Sequence, residues 1–149
     1  WPMSRQSCPK QFLDILDTGR SFIRHTFERF AKIVPTENFI VVTNRRYKDL
    51  VLEHIPELKE EQILCEPIGR NTAPCIAYAC WKIGKQGPYA NVVVTPADAL
   101  VLEHRELYRE LYDLVGHYCK CKNGYRQCKT SFCRHHFFPA ILASMLNVA

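Results

Sequence analysis

Two short runs, Asn38 to Thr43 (NFIVVT) and Asn91 to Thr95 (NVVVT), constrain the fold more than any other part of the chain. Each is nearly continuous in apolar, β-branched residues and shows no polar–apolar alternation. A strand with one wet face must alternate, and a strand buried on both faces need not. Ile63 to Cys65 is a shorter run of the same kind. Segments with helical spacing lie between these runs. Ser21 to Ile33 puts Phe22, Ile23, Thr26, Phe27, Phe30 and Ile33 on one face and stops at Pro35. Arg45 to His54 turns Tyr47, Leu50 and Val51 inward, with His54 read as a helix-end residue rather than a ligand. Thr72 to Gly84 turns in Ile76, Ala77, Cys80 and Ile83. Strands buried on two sides and alternating with helices predict an α/β fold: a mostly parallel sheet with helices on both faces and right-handed crossovers.

In such sheets ligands bind beyond the carboxyl ends of the strands. That rule selects Thr43-Asn44, Glu66 to Thr72, and Thr95 to Asp98. The middle stretch, Glu66-Pro67-Ile68-Gly69-Arg70-Asn71-Thr72-Ala73-Pro74, has the order strand, turn, helix start. Gly69 suits a sharp turn because it reaches backbone angles closed to other residues. Asn71 or Thr72 can cap the helix, and Pro74 falls in its first turn, where a missing N–H costs little. A helix start of this kind favours a phosphate or a polar base edge, and it is equally a well-capped loop with no ligand. Asp98, just past a buried strand, reads as a Mg²⁺ ligand or as the N-cap of the following helix. Arg5 and Lys10 lie in an irregular, Pro-punctuated segment and read locally as surface charges.

Composition narrows the classes. The chain has 149 residues, 47% of them hydrophobic, enough for one domain or part of one. No apolar run approaches the roughly 18 residues of a membrane span, and the start lacks the pattern of a secretory signal. The chain opens on Trp1 rather than Met, which is read as a lost natural start. The net charge of +5 is uneven. Residues 1–116 hold 15 basic and 15 acidic side chains, so all the excess comes from Lys120, Lys122, Arg126, Lys129 and Arg134. The body therefore lacks the basic signal of a nucleic-acid binder. Cys8, Cys65, Cys75 and Cys80 are scattered as reduced cytoplasmic thiols are, not as a disulfide framework.

Three blocks carry a family resemblance. Trp1-Pro2-Met3-Ser4-Arg5 followed by Pro9-Lys10-Gln11-Phe12, the Glu66 to Pro74 loop, and Val93-Val94-Thr95-Pro96-Ala97-Asp98 resemble, in order and spacing, the sugar-1-phosphate nucleotidylyltransferases. The likeness is greatest to the guanylyltransferase branch that acts on mannose 1-phosphate. It implies an incomplete Rossmann-like nucleotidyltransferase domain over residues 1–115, followed by a basic, Cys-rich tail over 116–149. It also implies a cytoplasmic enzyme that joins GTP and mannose 1-phosphate into GDP-mannose and pyrophosphate. On this reading Lys10, assisted by Arg5, neutralises phosphate charge. Glu66, Gly69, Arg70, Asn71 and Thr72 hold the nucleotide, and Asp98 holds Mg²⁺. No nucleic acid or membrane partner is implied, and a homo-oligomer of an intact parent is left open. The alternatives are a transferase for another sugar phosphate or nucleotide, and a non-catalytic nucleotide-binding module.

The chain departs from the family pattern at both ends. The Gly-rich loop and the strand before it are missing, which implies an unfilled position inside the sheet and an inactive fragment. The likeness fades near residues 105–115, as expected of a frame change or a foreign end. The tail residues Cys119, Cys121, Cys128, Cys133, His135 and His136 are potential zinc ligands, but their spacings lack the usual paired form. The last stretch, PAILASMLNVA, reads as a short apolar helix.

Overall fold

The computed structural model describes residues 5, 7–66, 72–86, 92–121 and 140–145. The strands are β1 (Ile40–Asn44), β2 (Ile63–Glu66), β3 (Val92–Pro96) and β4 (Ala140–Met145). The α-helices are α1 (Phe22–Phe30), α2 (Lys48–His54), α3 (Thr72–Gln86) and α4 (His104–Cys121). The strands form one parallel sheet in the order β2-β1-β4-β3.

Alternate residues of the buried strands face opposite helical layers. Val41 joins Phe27, Phe30, Phe39, Tyr47, Val51, Leu107 and Leu111 in the larger core, so α1, α2 and α4 cover one face. Val42 packs with Cys75 and Ala79 of α3 on the other. The α/β class, the parallel sheet and the helices on both faces are as the sequence predicts. Crossing between β2 and β3 takes the chain from one edge of the sheet to the other.

Three expectations change. The final apolar stretch is not a helix where it is described. Ala140–Met145 is a strand, and it fills the interior position between β1 and β3 that the sequence reading left open. Six residues, five of them apolar, are too few for periodicity to separate helix from strand. An interior position, with backbone partners on both sides, decides for the strand. The buried stripe of α3 is Cys75, Ala79 and Ile83, while Ala77 and Cys80 are exposed. That helix is apolar nearly all round, so spacing alone could not set its rotation; packing on Val42 does. The segment from Arg45 begins as a 3-10 turn, Arg45–Tyr47, before α2, because Asn44 Oδ1 accepts from Arg46 N at 3.1 Å.

Polar side chains tie the loops to this frame. Gln62 is buried and fully used: Nε2 donates to the carbonyls of Thr36 (2.7 Å) and Phe39 (2.9 Å), and Oε1 accepts from Lys59 N (2.9 Å). It thus joins the approaches to β1 and β2. Ser21, the residue before α1, bonds His54 Nδ1 at the end of α2 (2.8 Å), and burial lowers the His54 pKa. His54 is a helix-end residue, as the sequence suggests.

Ala143 stands opposite both Ile40 and Val94. Ala143→Pro removes a backbone donor inside the sheet, so we expect a loss of about 1–3 kcal/mol of unfolding free energy. Urea denaturation measures it. A loss under roughly 0.5 kcal/mol, typical of a surface substitution, would put Ala143 outside the ladder.

Candidate functional site

Because the strands are parallel, their carboxyl ends share one edge of the sheet. Asn44 ends β1 directly opposite Glu66, which ends β2. Both Val42 and Pro96 stand opposite Met145, so β3 ends level with Val42, two residues before the end of β1.

Lys10 reaches this edge from the N-terminal segment. Lys10–Phe12 forms a 3-10 turn whose Gln11 and Phe12 are buried. The Phe12 ring lies 5.3 Å from the His54 ring and 6.2 Å from the Tyr47 ring, centroid to centroid. That anchor leaves Lys10 on the outer side of the turn, where Nζ pairs with the Asp98 carboxylate. The Lys10 side chain is 55% exposed and that of Asp98 25%. A pair this wet adds on the order of 0–1 kcal/mol to stability, so it is not there to hold the fold. Arg5 is exposed, and its backbone exchanges hydrogen bonds with Cys8 (3.1 and 3.0 Å) in a tight turn. No contact among the described residues brings Arg5 to Asp98.

Asp98 lies in the turn that follows Pro96, closed by Ala99 N donating to Pro96 O at 3.4 Å. The next helix, α4, begins only at His104, so Asp98 is not its N-cap. Among the described residues no group of three or more His, Cys, Asp or Glu forms a metal cage. A single carboxylate at a ligand-binding edge still suits Mg²⁺, which typically takes one or two protein carboxylates and completes its shell with water and phosphate oxygens.

Glu66 is 9% exposed. Its carboxylate lies beside Cys75, in the first turn of α3. Burial first, and then the charge and hydrogen bond of Glu66, push the Cys75 thiol up to about 12. The thiol therefore stays protonated beside the Glu66 carboxylate. Thr72 opens α3, while Gly69, Arg70 and Asn71 lie outside the described residues. So do Cys128, Cys133, His135 and His136 of the potential zinc set. The Thr43 hydroxyl, at the end of β1, is fully buried and has no hydrogen-bond partner among the described residues.

Sequence reasoning missed three contributors. Cys75 lies beside Glu66, and Thr26 and Arg29 of α1 bond to the turn bearing Asp98. Thr26 was legible as a polar residue on an apolar face. Nothing in the spacing marked Arg29, which is 3% exposed, as buried.

A protonated, buried thiol does not act as a nucleophile. At pH 8, iodoacetamide should modify exposed Cys80 at least about tenfold faster than Cys75, read by peptide mass spectrometry over time. Equal rates would mean that Cys75 is neither buried nor paired with Glu66.

The nucleotidyl transferase family pattern matches residues 1–115. Among curated relatives, the alginate biosynthesis protein AlgA of Pseudomonas putida is 40% identical over 114 residues, covering 74% of this chain and 23% of that protein. Mannose-1-phosphate guanylyltransferase RfbM of Salmonella typhimurium is 41% identical over 83 residues, 54% of this chain and 17% of RfbM. The crystal structure of mannose-1-phosphate geranyltransferase from Thermus thermophilus superposes with a TM-score of 0.64 at 29% identity, covering 76% of this chain and 32% of that one. The chain thus spans only about a quarter of the length of these relatives. With the family pattern running through Lys10, Glu66 and Asp98, this chain belongs to the nucleotidyl transferase family.

Proposed function

We propose that the chain is the nucleotide-binding part of a mannose-1-phosphate guanylyltransferase, working in the cytoplasm, with residues 1–115 as its catalytic domain and 116–149 as a tail whose strand β4 completes the domain's sheet. The reaction transfers GMP from GTP to mannose 1-phosphate. A phosphate oxygen of the sugar attacks the α-phosphorus, the bond to the bridging oxygen breaks, and pyrophosphate leaves. The observation that carries this reading is the meeting of Lys10 with Asp98 at the carboxyl edge of the sheet. A cation and a carboxylate held there, half in water, match a site that must take up phosphates and a metal together.

Without nucleotide, each charge compensates the other. With GTP bound, Lys10 turns to the phosphates and offsets the repulsion between two approaching anions. Asp98 would hold Mg²⁺, whose charge would screen the triphosphate and favour departure of pyrophosphate. Arg5, exposed nearby in sequence, adds positive charge at the same approach. Glu66 is suited to guanine. A carboxylate accepts two hydrogen bonds side by side, and guanine presents two adjacent donors where adenine does not. Gly69, Arg70, Asn71 and Thr72 complete the nucleotide loop on this reading. Alignment and charge neutralisation do the work, with no covalent enzyme intermediate. Among the described residues no helix is long and apolar enough to cross a membrane.

The test is pyrophosphate release from GTP and mannose 1-phosphate with Mg²⁺. The protein is a chimera in which this chain replaces the matched segment of Pseudomonas putida AlgA. We expect turnover with GTP and little with ATP or dTTP. Lys10→Met and Asp98→Asn should each lower turnover by roughly 10²–10³ while changing unfolding free energy by less than about 1 kcal/mol. A folded chimera that binds GTP without releasing pyrophosphate would make the chain a binding module. Faster turnover with another nucleotide or sugar phosphate would reassign its substrate.

A further inference from the structure

The turn that carries Asp98 is held from behind by α1. Thr26 and Arg29 lie one helical turn apart on its buried face, 1% and 3% exposed. Thr26 Oγ1 donates to the carbonyl of Ala97 at 3.1 Å, and Arg29 Nη2 donates to the carbonyl of Ala99 at 2.9 Å. Those carbonyls belong to the residues on either side of Asp98. The turn's own closing bond is long, at 3.4 Å, and adds little rigidity. The hold on α1 is reinforced in turn, because Tyr108 of α4 donates to the carbonyl of Arg29 at 2.7 Å.

Arg29 is an expensive way to fill this position. It is a buried cation with no carboxylate partner among the described residues, and its Nε and Nη1 make no hydrogen bond there. An apolar residue of similar volume would suit the core better. What an apolar residue cannot do is reach a carbonyl and fix it. We propose that Thr26 and Arg29 are positioning residues for Asp98: by gripping the carbonyls before and after it, they set the direction in which its carboxylate faces Lys10 and, with nucleotide bound, the metal. This rests on the reading of Asp98 as the metal-binding carboxylate of the nucleotide site.

The probe is Mn²⁺ in the presence of GTP, with free Mn²⁺ read by electron spin resonance on the full chain, so no turnover is needed. Loss of groups that orient a metal ligand typically costs 10–100-fold in metal affinity. Thr26→Val should weaken Mn²⁺ binding about tenfold or more, with GTP affinity in the absence of metal unchanged, and Thr26→Ser should restore it. Arg29→Met should act in the same direction, and Arg29→Lys, which keeps a donor, should recover part of the loss. Phe27→Leu weakens the packing of the same helix against Phe39 while keeping both hydrogen bonds to the turn, and should leave Mn²⁺ affinity unchanged. Folded Thr26→Val protein with unaltered Mn²⁺ affinity overturns the proposal, and this variant decides alone if Arg29→Met does not fold. Equal losses in Phe27→Leu and Thr26→Val also overturn it, since general loosening would then explain both. Wild-type chain that takes up no Mn²⁺ with GTP overturns instead the metal-binding reading on which the proposal stands.

Discussion

The rest of the structure depends on the pairing of β4 along both its sides. Ala143 faces Ile40 of β1 on one side and Val94 of β3 on the other. Through that strand the two buried runs are brought into one register, although they never touch as neighbours. An interior strand satisfies donors and acceptors on both edges, and each such group left unpaired away from water would cost about 1–3 kcal/mol. The parallel direction then sends every strand end to the same side. Asn44, Glu66 and the Asp98 turn converge there because the ladder is continuous.

At that edge two carboxylates sit in different surroundings. Glu66 is nearly buried and lies beside the Cys75 thiol. Asp98 is wetter, and its partner is the ammonium of Lys10. On the proposed function the two arrangements suit different tasks, a sheltered acceptor for a base and an exposed ion pair that opens when phosphates arrive. The backbone around Asp98 is fastened separately by Thr26 and Arg29, so the side chain can exchange partners without the turn moving.

Support for the edge comes from elements remote in sequence. Phe12 inserts between His54 and Tyr47 and so aims Lys10 outward. Gln62 ties the approaches to β1 and β2, which keeps Glu66 opposite Asn44. Arg29 links α1 to the turn after β3, and Tyr108 links α4 to α1.

The sequence by itself determined the buried strands β1, β2 and β3, the helical segments between them and the parallel sheet. Each of these follows from local spacing, since continuous β-branched runs mark strands buried on two faces. Strand direction then marked Glu66 and Asp98 as candidates at strand ends, whereas Lys10, locally a surface charge, was singled out only by the family resemblance. Only the tertiary structure decided the rest. It chose strand over helix for Ala140–Met145, because six residues, five of them apolar, satisfy both periods and only backbone partners on two sides break the tie. It set the rotation of α3, because most of that helix's sequence is apolar and spacing alone does not mark its buried face. It buried Arg29 and paired Cys75 with Glu66. Those contacts join residues far apart in the chain, and spacing along one element carries no information about what a different element will place against it.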